Sequence, residues 1–161
     1  MKQTLIFSFA VIIAACSPPP NTMDAGMDLP DTTCDANPEA VTLASLHTDF
    51  LGPKCASCHP SSAGATYGDY TSATTAAAMI NKISAFAGSQ QSLKVVDAAA
   101  TDTAQRLANS SIWLKVSSMK NNGYRGPKNE ITGLKMPNDG TPVTATELKK
   151  LKDWLCRGAP M

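Results

Sequence analysis

Histidine is scarce in this chain: its 161 residues include only His47 and His59. A structural zinc site needs four ligands and usually draws them from two paired sets, whereas the cysteines outside one Cys-x-x-Cys pair are isolated here. The sequence also has no glycine-rich nucleotide loop, no hydrolase triad, no internal repeat and no pattern typical of nucleic-acid binding. These absences argue against zinc-finger, nucleotide-binding, hydrolase and nucleic-acid-binding classes.

A long apolar run is also missing, since a transmembrane helix needs about 20 such residues. The run at 5–15 is shorter, follows a single positive charge at Lys2 and ends in small residues, which is the layout of a secretory signal. Its end, Ile13-Ala14-Ala15-Cys16, is similar to the lipobox of bacterial lipoproteins. We therefore expect a signal peptide over 1–15 and lipid on Cys16; an ordinary cleaved signal with an incidental cysteine is the alternative.

The segment 16–37 has little that could fold. It opens with three prolines and then shows no apolar periodicity, so it cannot bury enough surface to offset the entropy of ordering. We expect a flexible tether between a lipid anchor and one domain over 38–161. The tether is acidic, whereas 38–161 carries 13 Lys and Arg against 9 Asp and Glu. The expected location is outside the cytoplasm, on a bacterial membrane facing the periplasm (the outer membrane is favoured, because Ser17 follows the cysteine) or at the cell surface.

The sharpest motif is Cys55-Ala56-Ser57-Cys58-His59. Two cysteines three apart, with histidine directly after the second, are typical of covalent haem attachment of the c type. Each thiol adds to one haem vinyl group, and His59 is placed as the proximal axial ligand of the iron. A structural or redox-active Cys55–Cys58 pair is the competing interpretation, but it gives His59 no task.

The second axial ligand decides the chemistry of such a haem. Met136 is the leading candidate, because it lies in an irregular loop before the last helix and the following proline keeps it out of helical geometry. A thioether ligand favours ferrous iron. The alternatives are a gap-filling core methionine at this position, ligation by His47, and an open or water-bound site.

Four helices are predicted in the domain. The first covers 38–51 and ends at Gly52-Pro53; others cover 73–86 and 110–119, and a long surface loop covers 121–138. The last helix is the best defined, because Thr144 and Glu147 form a capping box. The residues predicted to form its apolar stripe are Leu148, Leu151, Trp154 and Leu155, and those predicted to face water are Lys149, Lys150, Lys152 and Asp153.

Cys34 and Cys156 remain once Cys16 is set aside for lipid and Cys55 and Cys58 for haem. Two leftover cysteines in an oxidising compartment usually pair. We therefore expect a disulfide that fastens the end of the tether to the last helix. Two free thiols, or an intermolecular bond, are the alternatives.

Several segments together resemble a class I cytochrome c domain, and more closely the bacterial lipoprotein type that is described as planctomycete or myxobacterial cytochrome-c-like. The similar stretches are Cys55-Ala56-Ser57-Cys58-His59, Gly68-Asp69-Tyr70, Ser111-Ile112-Trp113-Leu114-Lys115-Val116, Lys135-Met136-Pro137 and the last helix to Pro160. The resemblance implies an all-α fold around one haem c, in which the first and last helices cross and His59 and Met136 are the axial ligands. Two features depart from the family: the span from His59 to Met136 is longer, and the last helix contains a cysteine.

The expected function is electron transfer by a membrane-anchored carrier rather than enzymatic catalysis, with donor and acceptor proteins as partners and no nucleic acid. Five basic residues are candidates for a docking patch, with an ordinary solvated face as the alternative: Lys115, Lys120, Arg125, Lys128 and Lys135. Two other functions are compatible with the sequence. One is a haem enzyme or a gas or redox sensor with an open sixth position, and the other is a non-haem lipoprotein with a structural Cys-x-x-Cys.

Overall fold

The computed structural model describes residues 31–60, 68–84, 93–117, 136–137 and 139–161. The regular elements in these ranges are α1 (Leu43–Leu46), a π turn (His47–Leu51), α2 (Gly52–Cys55), α3 (Ala73–Ala77), α4 (Thr103–Asn109), α5 (Ser111–Ser117) and α6 (Ala145–Cys156). Extended residues in the same ranges form isolated β-bridges and no strand. The described part of the protein is therefore helix-rich, which is compatible with the predicted all-α class.

The first helical segment continues through the π turn into α2, so its predicted end at Gly52-Pro53 is wrong. In the π turn the Gly52 N–H donates to the carbonyl of His47, five residues earlier. Pro53, which has no N–H to donate, lies in the first turn of α2 directly after the π turn. The helix extends to Cys55, which places the first thiol of the motif on a regular element.

The start of this segment also lies later than predicted, at Leu43 instead of residue 38. The Thr42 hydroxyl accepts a hydrogen bond from the Ser45 N–H at 3.2 Å and caps the first turn. Five apolar residues of this segment and the residues just before it are buried, and they are Val41, Leu43, Leu46, Phe50 and Leu51. They belong to one hydrophobic core shared with α5 and α6.

The last helix has the predicted cap. The Thr144 N–H donates to Glu147 Oε2 at 2.7 Å, and the Glu147 N–H donates to Thr144 Oγ1 at 3.2 Å. The predicted stripe is buried at Leu151, Trp154 and Leu155 and half-buried at Leu148. Burying each such side chain stabilises the fold by roughly 1.5–3 kcal/mol relative to exposure, so this stripe is a main anchor of the domain.

Asp153 does not face water as predicted: its side chain is 1% exposed. It points away from the apolar stripe, but that side of α6 is covered by other parts of the chain. Cys156 is bonded to Cys34 there, and Lys149 lies 2.6 Å from Asp153 Oδ2 and 3.3 Å from Glu39 Oε1. The amphipathic pattern of a helix reveals one buried side, and it cannot reveal a second side that a distant segment covers.

The middle of the domain differs most from the sequence-based prediction. The helix predicted over 73–86 ends at Ala77, after which Ile80 forms a β-bridge with Val96 and Ile83 forms one with Lys94. The helix α4 was not predicted, although the Asp102 carboxylate accepts a hydrogen bond from the Ala104 N–H at 2.8 Å and caps it. The helix predicted over 110–119 is present as α5.

The packed domain begins earlier than residue 38. We call 31–38 the N-terminal strap. Its first residue is held twice: the Trp113 Nε1–H donates to the carbonyl of Asp31 at 2.9 Å, and Lys152 Nζ donates to the Asp31 carboxylate at 2.7 Å. A disulfide joins Cys34 to Cys156 of α6, with their Cα atoms 5.8 Å apart. The end of the expected tether is therefore part of the domain.

Candidate functional site

The Cys-x-x-Cys-His motif forms a tight turn at the end of α2. The Cys55 carbonyl accepts hydrogen bonds from two N–H groups, that of Cys58 at 3.2 Å and that of His59 at 2.9 Å. Both following residues are thereby folded back toward the end of the helix. One backbone turn therefore contains all three predicted haem-binding side chains, those of Cys55, Cys58 and His59. This arrangement follows from the local sequence alone.

The two thiols of the motif have different surroundings. Cys55 is half-buried against the hydrophobic core, and Cys58 is exposed. Burial raises the pKa of the Cys55 thiol to about 12, with smaller contributions from the charges of Cys58 and Glu147. Neither thiol is in a disulfide. The motif therefore presents one inward and one outward sulfur, and both are available for bonding.

His59 is half-buried, and its Nδ1 is a buried atom without a hydrogen-bond partner. Burial lowers the pKa of His59, an effect opposed in part by a hydrogen bond to the backbone of Gly68. A neutral imidazole is the form that binds a metal ion. A buried nitrogen without a partner costs free energy, so this side chain is suited to a ligand that the polypeptide itself does not supply.

The segment Gly68-Asp69-Tyr70 forms one wall beside His59. The Tyr70 N–H donates to the His59 carbonyl at 3.1 Å, and the two rings meet edge to face with centroids 5.4 Å apart. Gly68 has a φ of +102°, and a Cβ there would lie 3.1 Å from Met79 Sδ and 3.2 Å from carbons of the Tyr70 ring. Only glycine combines this conformation with so close an approach.

Met136, the predicted second ligand, is half-buried and packs against the same hydrophobic core as Cys55. Its N–H donates to the carbonyl of Lys115 in α5 at 3.0 Å, and the peptide bond to Pro137 is cis. The backbone at Met136 is therefore fixed to a helix of the core, although the neighbouring residues 118–135 lie outside the described ranges. This placement is compatible both with a ligand and with a core methionine.

His47, the competing ligand, is engaged elsewhere. Its Nε2 lies 3.0 Å from the carbonyl oxygen of Tyr70. A carbonyl only accepts hydrogen bonds, so Nε2 carries the hydrogen and has no free lone pair for a metal. The residue is half-buried. No sequence signal identified this contact, because it joins two segments that are distant along the chain.

The donor set that these residues offer is small. Within the described ranges no three His, Cys, Asp or Glu side chains are grouped in a way that could hold a metal ion. One imidazole and one thioether are too few donors for a metal ion bound by protein alone. They suit an iron whose other four positions are filled by a macrocycle. The free thiols, the buried Nδ1 and the glycine-lined wall thus fit a covalently attached haem.

The predicted docking patch is wrong at one position. Lys115 is buried, with 5% of its surface exposed, and burial lowers its pKa. It lies on α5 among residues that are nearly all buried, so its side chain cannot belong to an open basic surface. The other four patch residues, Lys120, Arg125, Lys128 and Lys135, lie outside the described ranges.

The other predicted cysteines fall in two groups. Cys34 and Cys156, which we expected to pair, are joined in a disulfide. Cys16 and the signal peptide lie outside the described ranges. Among the residues that the structure describes, no helix has the length and apolar character needed to cross a membrane.

Comparisons with protein-family models, with curated proteins and with solved structures return no match. The functional interpretation therefore depends on the residues of the site and their geometry.

Proposed function

We propose that this protein is a c-type cytochrome that carries electrons on one covalently bound haem, in a class I cytochrome c-like fold. The observation that supports this most directly is the turn after α2, which holds two unpaired thiols beside an imidazole with a buried, unpartnered Nδ1. Thioether bonds from Cys55 and Cys58 would fix the group covalently, and His59 would serve as the proximal ligand. When bound, haem supplies an iron that gains and loses one electron.

The two cysteines that would attach the haem differ in their exposure to solvent. Cys55, which packs against the core, and Cys58, which is exposed, would both hold the group. Electrons would enter and leave on the exposed Cys58 side, because transfer to a partner requires close approach. We therefore place partner docking at the Cys58 end of the motif.

Met136 is the proposed second axial ligand. Its backbone is held by the hydrogen bond to Lys115 and its side chain is half-buried, so a thioether is available at a fixed point of the core. Ligation by His59 and Met136 would fill all iron positions, which suits an electron carrier and leaves no place for substrate. An open sixth position would instead favour a haem enzyme or a sensor, and its spectrum would be high-spin.

We also propose that the carrier is a lipoprotein, exported and held on a bacterial membrane by lipid on Cys16. The Cys34–Cys156 disulfide supports export, because such bonds persist mainly in oxidising compartments. A single acyl chain binds a membrane only marginally, whereas several chains on one residue give a stable anchor. The N-terminal strap, which is packed on the domain, would then lie between this anchor and the helices.

Covalent attachment is the direct test of the haem assignment. The full chain, produced with c-type haem maturation machinery, should retain haem through denaturing extraction. The double variant Cys55→Ser/Cys58→Ser should release all of it. The matched control is Cys34→Ser/Cys156→Ser, which removes two cysteines far from the motif in sequence and should retain haem under the same denaturing conditions. A wild-type protein without covalent haem would refute the proposal and favour a non-haem lipoprotein.

A further inference from the structure

Tyr70 is held by its backbone on both sides. Its N–H donates to the carbonyl of His59 at 3.1 Å, and its own carbonyl accepts the Nε2–H of His47 at 3.0 Å. One residue thus connects the end of the haem motif to the first helical segment. Because both bonds involve the Tyr70 backbone, they fix its position whatever its side chain does.

The ring of Tyr70 is fixed as well. The residue is 6% exposed, and its ring meets the His59 imidazole edge to face, with an angle of 76° between the two planes. A buried ring beside His59 limits the orientations that the imidazole can adopt.

The π turn explains why His47 can reach Tyr70. The Gly52 N–H donates to the His47 carbonyl, and a Cβ on Gly52 would lie 3.0 Å from that oxygen and 3.1 Å from Cε1 of the His47 ring. Glycine at this position therefore leaves the space that the imidazole occupies. Single π turns inside helices occur frequently at functional sites, and this one directs a histidine toward the wall of the site.

We propose that Tyr70 is a positioning residue that fixes the orientation of the His59 imidazole, and that His47 holds Tyr70 in place. This inference rests on the proposed function, because it concerns the residue that would be the proximal ligand. Residues behind a metal-binding histidine commonly orient the ring and adjust the properties of the metal. At His59 two contacts are of this kind: the hydrogen bond to the Gly68 backbone and the Tyr70 ring, whose centroid lies 5.4 Å from that of the imidazole.

The test compares variants that keep or remove each contact, with the principal g-values of the ferric low-spin protein as the readout. Tyr70→Phe keeps the ring and should match the wild type, whereas Tyr70→Leu should shift or broaden the signal. His47→Gln keeps an amide N–H donor for the Tyr70 carbonyl and should match the wild type, whereas His47→Leu should resemble Tyr70→Leu. Thr48→Ala, one residue along the same turn, is the control and should have no effect.

A second measurement uses the chain without haem. Nuclear Overhauser contacts between the ring protons of Tyr70 and His59 should be present in the wild type and in His47→Gln, and weaker in His47→Leu. The His47 variants keep the buried tyrosine, so they test the same contact even if Tyr70→Leu does not fold.

Two outcomes would overturn the inference while the proposed function stands. One is a haem-loaded wild type whose g-values are unchanged in both Tyr70→Leu and His47→Leu, and the other is the absence of Tyr70–His59 contacts in the haem-free chain. A wild type that takes up no covalent haem would instead remove the proposed function and this inference together.

Discussion

Cys34 and Cys156 lie 122 residues apart in the sequence and are joined by a disulfide that fastens the N-terminal strap to the end of α6. The strap and α6 also share the ion pair between Asp31 and Lys152. The carboxyl end of the domain is therefore tied to the residues in which the expected tether ends. The stability of the fold should depend on this connection.

Removing the disulfide should destabilise the protein strongly. Closing a loop of this size is nominally worth about 4–5 kcal/mol, because the crosslink restricts the unfolded chain. We expect Cys34→Ser/Cys156→Ser to unfold at a lower urea concentration than the wild type. Addition of a reductant should lower the wild-type midpoint and leave that of the variant unchanged. Equal midpoints for the two oxidised proteins would show that the bond does not stabilise the fold.

The ion pair at Asp31 should make stability depend on pH. Hydrogen bonds from Lys152 and Thr33 hold the pKa of the Asp31 carboxyl well below its usual value. An aspartate in the unfolded chain has a pKa of about 4. Because the pKa of Asp31 is lower in the folded state, the ion pair stabilises the fold fully above that pH, and this stabilisation is lost as the pH falls further. Because the carboxylate is exposed, the ion pair adds at most about 1 kcal/mol to the free energy of unfolding.

The pH prediction is tested by urea unfolding of Asp31→Asn and the wild type between pH 7 and pH 2. The difference between the two should be constant at neutral pH and should shrink in acid. Asp49→Asn, which removes the carboxylate of the surface pair with Lys150, controls for the loss of one negative charge. A difference that persists unchanged at pH 2 would contradict the assignment.

The stability of the fold should depend on Lys149, because this residue pairs with the buried carboxylate of Asp153. Lys149 Nζ lies 2.6 Å from Asp153 Oδ2, whereas Asp153 Oδ1 is buried without a hydrogen bond. Removing the cation alone leaves an uncompensated buried charge, which costs more than removing both charges. We expect Lys149→Met to destabilise the protein more than Lys149→Met/Asp153→Asn, as measured by thermal unfolding. If the double variant loses more thermal stability than Lys149→Met, Lys149 does not act by compensating the charge of Asp153.

The glycine beside His59 should tolerate no side chain. Gly68→Ala combines a left-handed backbone conformation with a Cβ in close contact with Met79 and Tyr70. We expect a loss of at least about 1–2 kcal/mol, the usual cost of that conformation for a residue with a Cβ. Gly140→Ala is the matched control, because it also has positive φ but its Cβ would meet open space. Equal losses at the two sites would show that the packing around Gly68 is unimportant.

The two thiols of the motif should react at different rates in the haem-free chain. Cys58 is exposed, whereas the Cys55 thiol has its pKa raised to about 12, and the thiolate is the reactive form. We therefore expect iodoacetamide at pH 8 to modify Cys58 well before Cys55, as followed by peptide mass spectrometry. The difference should disappear in denaturant. Similar native rates would show that Cys55 is not shielded by the core.

Local sequence patterns predicted much of this fold. The capping box at Thr144 and the buried stripe of α6 depend on residues within two turns of one helix, and both are present. The turn of the Cys-x-x-Cys-His motif is likewise local, since it is made by hydrogen bonds to the Cys55 carbonyl. Local patterns of this kind indicate where a helix begins and which of its sides is apolar.

The features that were missed depend on distant segments. Asp153 is buried because the strap crosses its side of α6, and Lys115 is buried among core residues despite its charge. His47 contacts Tyr70 through a π turn that no propensity indicates. In each case tertiary contacts overrode a correct estimate of local preference. The wall beside His59 could therefore be described only from the structure.

The visible spectrum of the purified full chain, made with c-type haem maturation machinery, tests the central proposal most directly. The ferric protein should be low-spin, with the weak far-red band of a methionine–iron(III) bond. Met136→Leu should abolish that band, whereas Met79→Leu, a volume-conserving change at a buried methionine of the core, should keep it. A high-spin wild-type spectrum would contradict ligation by Met136 and favour an enzyme or a sensor, and the absence of any haem spectrum would contradict the cytochrome assignment itself.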